Sequence, residues 1–151
     1  MPYVIGIVLS VGVAWFARVV GLDRDRAFYP TVVIVVALYY VLFAAIDGSL
    51  HTVLLESALM TVFVIAAVVG FKTSTWIIVG ALAGHGVLDV FHGSLLNNSG
   101  VPVWWPAFCS TYDLGAAACL AWLTTRRPGS GAAVKSAWTK GDALRSSTLA
   151  Q

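Results

Sequence analysis

Charge is what this sequence has least of. Of 151 residues, nine are Lys or Arg and seven are Asp or Glu, 11% in all, against 59% hydrophobic residues and a mean hydropathy of +0.86. So little polar surface cannot coat a water-soluble globule of this length, which excludes that class. The basic residues are spread over loops and tail and build no basic, aromatic-laced face, so nucleic acid is excluded as a partner. Cysteine is nearly missing too. Cys109 and Cys119 are ten residues apart in one apolar run, about 15 Å along a helix, which is beyond disulfide reach. They carry no information on redox compartment.

What is present instead is a series of apolar runs. Five reach the length needed to cross a bilayer as a helix, about 20 residues or a few fewer: 3–20, 28–46, 52–71, 74–96 and 105–123. The first has no Lys or Arg before it and no small-residue cleavage site after it, so it reads as a retained helix and not a signal peptide. The connectors are short and rich in Gly, Asp, Asn, Ser and Pro. Pro30 falls in the first turn of the second run, where its missing N–H costs nothing. From residue 125 onward the chain turns Gly-, Ser- and Ala-rich with scattered charge, the composition of a disordered tail. The expected fold is therefore an all-α polytopic membrane bundle over 1–124 followed by a tail over 125–151.

Five crossings place the loop after the first helix, the loop after the third and the tail on one side. All nine basic residues fall there: Arg18, Arg24, Arg26, Lys72, Arg126, Arg127, Lys135, Lys140 and Arg145. The positive-inside rule then sets the C-terminus in the cytoplasm and the N-terminus outside, in the plasma membrane. Trp104 and Trp105 at the outer edge, with Trp76 and Trp122 at the inner, match aromatic belts.

The remaining polar residues are the informative ones. Asp47, Glu56, Asp89, Asp113 and all three histidines, His51, His85 and His92, fall in the outer half or at its edge, where no Lys or Arg can pair with them. At 1.5 Å rise per residue, Glu56 and His92 lie about 6 Å deep, Asp89 and Asp113 about 11 Å, and His85 about 16 Å. His85, Asp89 and His92 are spaced i, i+4, i+7 and share one helical stripe, while Gly80 and Gly84 on the other side offer a close-packing face. In the fifth run Cys109 and Asp113 share a face beside Tyr112, and in the third Glu56 stands over Met60 and Phe63. His51, at a loop edge, is read as structural, and Cys109 as small packing.

Ionisable groups in hydrocarbon must be paired, protonated or bound to an ion. Two imidazoles from one helix with carboxylates from its neighbours form the ligand set of Zn, Mn or Fe sites in helix bundles. On this reading His85, Asp89 and His92 hold a divalent metal, Glu56 and Asp113 act as acid and base, and the pocket opens outward under the 97–106 loop to take a lipid-like or small substrate. Two other readings stay open. The same groups suit a proton or cation relay, or they are inter-helical glue in a non-enzymatic, partner-binding membrane protein.

The stretches "FYPTVVIVVALYYVLFAAIDGS", "LLES", "GHGVLDVFHG" and "VPVWWPAFCSTYDL" together resemble a family of small bacterial integral membrane proteins known as domain of unknown function six thousand and ten, over residues 26–123. The family signature falls here on His85, Gly86, Asp89 and His92, then on Val101, Pro102, Trp104, Pro106, Phe108, Cys109, Tyr112 and Asp113. The resemblance implies a membrane bundle and brings no activity with it.

Overall fold

A computed structural model describes residues 1–24 and 26–126. Asp25 and the tail from residue 127 lie outside the described residues. Five α-helices account for nearly all of it: α1 (Pro2–Val20), α2 (Phe28–Asp47), α3 (Leu50–Lys72), α4 (Thr75–Leu95) and α5 (Trp105–Arg126). A single 3-10 turn, Leu22–Arg24, follows α1. The helix ends have local causes. Gly21 (φ 89°) and Gly48 (φ 79°) take the left-handed conformation that closes α1 and α2, and their N–H groups bond back to Ala17 O and to Ala44 and Ala45 O. Ser49, next to Gly48, starts α3 by accepting from Thr52 N, and Ser74 does the same for α4 through Trp76 N. A C-cap followed at once by an N-cap makes the α2–α3 turn as short as a chain reversal allows.

Because each connector sends the chain back, the basic residues of the described region gather at one end: Arg18, Arg24, Arg26, Lys72 and Arg126. Four helices, α1 to α4, are long and apolar enough to cross a membrane. α5 has the length but is less apolar. It packs against α1 on one side and α4 on the other, and Cys109, Ser110, Asp113, Ala116, Ala117, Leu120 and Leu123 are buried there. A helix shielded by two neighbours can carry small and polar residues that a lipid-facing one cannot. By contrast α1 packs chiefly on α5 and leaves Val4, Val8, Trp15 and Val19 each 60% exposed or more. Those residues form a lipid-facing surface.

The sequence points to Gly80 and Gly84 as the close-packing step, and the structure places it elsewhere. A side chain at either would meet nothing within 4 Å, whereas a Cβ at Gly86 would lie 2.9 Å from Ser110 O and 3.2 Å from Asp113 Cβ. Gly86 shares a face with His85 and Asp89, so the close approach and the polar stripe coincide. The interior divides by depth. Toward the basic end the core is apolar, built on Tyr29, Val33, Ala67, Ile78, Leu82 and Leu120. Toward the other end it is polar.

Candidate metal centre

The polar half is built by four helices and one loop. α4 is central, packed against α5, α3 and α2, and its stripe at i, i+4, i+7 turns His85, Asp89 and His92 inward. All are sealed: His85 is 2% exposed, Asp89 1%, His92 3%, Glu56 2% and Asp113 0%. The outward-opening pocket expected under the 97–106 loop is therefore closed. Asn98 tucks down from that loop and donates from Nδ2 to Tyr40 O at 3.1 Å and to Glu56 Oε1 at 2.9 Å. The space left beside Tyr40, Glu56, His85 and His92 is about 10 Å³, room for one water at most.

The stripe divides between two partners. His92 Nε2 sits 2.9 Å from Glu56 Oε1, and its ring lies against Tyr40 with centroids 4.1 Å apart and planes tilted by 31°. Two turns deeper, His85 Nδ1 lies 2.7 Å from Asp113 Oδ2 and 3.6 Å from Asp89 Oδ2. Cys109, one turn before Asp113 on α5, places Sγ 3.7 Å from the same Asp113 oxygen. The donor atoms of His85, Asp89, Cys109 and Asp113 all fall within 4.8 Å of one another.

This grouping differs from the sequence assignment in membership. His85 and Asp89 come together, but His92 goes to Glu56, while Asp113 and Cys109 join the donor set in its place. His92, two turns along α4 from His85, has its Nε2 taken up by Glu56, which leaves it outside the donors that lie within 4.8 Å of one another. Depth counting from helix ends put His85 about 5 Å below Asp113, yet they touch, because Gly86 lets α5 lie against α4. His51 is exposed at the start of α3, away from the cluster. Tyr40 and Asn98 were not singled out by the sequence, since neither stands on a polar stripe. Cys109 had a signal in its i, i+4 relation to Asp113.

The hydrogen-bond inventory is one-sided. Neither oxygen of Asp89 has a well-formed hydrogen bond in the described residues, nor has Asp113 Oδ1, although the Tyr40 hydroxyl and the Cys109 thiol both lie beside Asp89. Buried acceptors without donors are costly. Three buried carboxylates, Glu56, Asp89 and Asp113, face two histidines and no Lys or Arg. A divalent cation among His85, Asp89, Cys109 and Asp113 answers both deficits, occupying the empty acceptor positions and offsetting the negative charge. Ligands around a tetrahedral ion with bonds near 2.0–2.3 Å stand about 3.3–3.7 Å apart, so small side-chain rotations close a set already within 4.8 Å.

No protein-family model, curated protein or solved structure matches this chain.

Proposed function

We propose that this is a multi-pass plasma-membrane protein, N-terminus outside, that binds one divalent transition-metal ion through His85, Asp89, Cys109 and Asp113 and uses it on a lipid-like substrate. The mutual approach of those four donors carries the reading. A thiolate with imidazole and carboxylate favours a borderline ion, Zn²⁺ or Fe²⁺, over Mn²⁺, which prefers oxygen ligands. An ion held there would supply Lewis-acid chemistry, polarising a carbonyl or activating water, once one of the four donors stands off to leave a position open. Asp89 is the ligand suited to exchange: its oxygens carry no competing hydrogen bond in the described residues, so on substrate entry it would leave the ion and serve as the base. Glu56, bonded to His92 and Asn98, holds the loop over the site and is a positioning residue. The single-sided distribution of basic residues supports the orientation.

A second reading rests on one distance. His85 Nδ1 and Asp113 Oδ2, at 2.7 Å, are closer than two ligands of one ion, so with no ion the pair shares a proton, and metal entry must expel it. If no ion binds, the cluster is a buried His-carboxylate lock between α4 and α5.

Elemental analysis of detergent-purified protein separates the two. The metal reading expects about one Zn or Fe per chain, lost in His85→Ala and Asp113→Asn and retained in His92→Ala. Wild-type protein that takes up no more added Zn²⁺ or Fe²⁺ than His85→Ala overturns it and leaves the lock.

A further inference from the structure

An ion held by His85, Asp89, Cys109 and Asp113 has to reach them, and all four side chains are buried. Between them and the loop end of the bundle stands a second group of ligand-type atoms that the candidate centre does not use. Asp47 is exposed at the rim, where its Oδ1 accepts from Ser99 Oγ at 2.8 Å. The neighbouring Asn98 reaches inward to Glu56, and Glu56 meets His92.

Four atoms of this group form a chain of contacts at nearly one spacing. His92 Nε2 is 2.9 Å from Glu56 Oε1, Glu56 Oε1 is 2.9 Å from Asn98 Nδ2, and Asn98 Nδ2 is 3.1 Å from Tyr40 O. Ligands at right angles around an ion with bonds of about 2.0–2.2 Å stand about 2.8–3.1 Å apart. The Asn98 amide is only half used: the residue is 8% exposed, and its buried Oδ1 has no donor in the described residues. A half-turn about the bond that carries the amide exchanges its nitrogen and oxygen ends. Oδ1 then faces Glu56 Oε1 and Tyr40 O from the place Nδ2 holds, and three acceptors so close together inside a bundle call for a cation among them.

This group is joined to the candidate centre. The space of about 10 Å³, the size of a single water, is lined by Glu56 and His92 of the one and by His85 of the other. Tyr40 belongs to both. Its carbonyl meets Asn98, its ring centroid lies 4.1 Å from that of His92 and 5.9 Å from that of His85, and its hydroxyl lies beside Asp89.

We propose that Glu56, His92, Asn98 Oδ1 and Tyr40 O form an entry site that takes a divalent transition-metal ion from the loop end and passes it through this space to His85, Asp89, Cys109 and Asp113. The proton shared by His92 and Glu56 leaves as the ion arrives. Ligand type sets the direction. The entry site offers oxygens and one imidazole, whereas the inner centre adds a thiolate and more negative charge, so a borderline ion such as Zn²⁺, Fe²⁺ or Co²⁺ is held more tightly there. The entry site loads the inner centre and in that purpose rests on the metal reading above.

The test uses the whole detergent-purified protein in a Cys119→Ala background, stripped of metal with a chelator and mixed rapidly with Co²⁺. A cobalt–thiolate bond gives a charge-transfer band in the near ultraviolet, so the band reports arrival at Cys109. Glu56→Gln keeps an oxygen for Asn98 to bond but loses the charge, and His92→Ala loses the imidazole. Each is expected to slow growth of the band by about tenfold or more, the least that losing even a supporting partner costs a metal site. The final height of the band stays the same, in protein whose circular dichroism matches the parent. A merely structural role moves the rate the other way, because loosening the seal over the centre speeds loading. A band that grows as fast as the parent's, or faster, in either variant overturns the proposal. Cys109→Ala with Asp113→Asn removes the inner centre and is expected to leave weak Co²⁺ binding, seen as visible absorption without the sulfur band and abolished by adding Glu56→Gln; no such binding also overturns it. A parent protein with no sulfur band at all sinks the metal reading and the loading role with it, whereas a band with unslowed variants sinks the loading role alone.

Discussion

Two glycines on one helix, two residues apart, allow the α4–α5 contact to be weighed directly. Replacing either Gly84 or Gly86 by Ala removes the same backbone freedom in mid-helix, a gain of about 0.5–1 kcal/mol. The surroundings differ. At Gly84 the new methyl meets nothing within 4 Å, whereas at Gly86 it would sit 2.9 Å from Ser110 O and 3.2 Å from both Asp113 Cβ and Leu114 Cγ. The first of these is backbone and cannot rotate aside, so α5 must shift by several tenths of an ångström, an overpacking cost of about 1–3 kcal/mol. Gly84→Ala is therefore expected to stabilise by about 0.5–1 kcal/mol and Gly86→Ala to destabilise by about 1 kcal/mol net. Subtracting one from the other cancels the propensity gain and leaves the packing cost alone. Reversible unfolding in mixed detergent micelles, followed by helical circular dichroism, measures both variants against wild type. The shift also pulls Asp113 from His85, so Gly86→Ala is expected to lose bound metal while Gly84→Ala keeps it. Equal stabilisation by the two variants would falsify the close α4–α5 approach on which the centre depends.

Glu56→Ala strands the donors of Asn98 and His92, which converge on Glu56 Oε1; the expected loss is about 1–2 kcal/mol for two polar contacts inside a membrane bundle, and an unchanged melting temperature would contradict the sealed network. Orientation is checked by labelling: in intact cells an impermeant maleimide is expected to modify Ser99→Cys, at the exposed loop end, and to reach Lys72→Cys, at the basic end, only after permeabilisation. The reverse pattern would turn the bundle over.

Much of the fold was legible because membrane crossing imposes a one-dimensional rule. A helix must satisfy its own backbone and present apolar side chains over a fixed length, so the five runs 3–20 through 105–123 lie within three residues of α1 to α5 at each end. The fifth shows where the rule weakens. α5 is less apolar because α1 and α4 cover it, and that shelter is a property of packing. The tail expected from residue 125 lies, from 127 on, outside the described residues, with α5 extending through Arg126.

The chemistry followed the same division. Spacing alone put His85, Asp89 and His92 on one inward stripe, since 100° per residue fixes directions around a single helix. It could not say which neighbours each would meet, because that depends on rotation and offset between helices. Those are set by contacts such as Gly86 against Ser110 and Asn98 under its loop. So sequence determined that Glu56, Asp89, Asp113, His85 and His92 share the half away from the basic residues, with the α4 stripe on one face. Tertiary structure decided that His85 meets Asp113, that His92 goes to Glu56, and that Cys109 stands among the donors. The physical reason is range. Helical periodicity and hydropathy act along the chain, while ligand sets and cavities join residues on different helices, such as His85 and Cys109, 24 positions apart, whose distance only the packed bundle fixes.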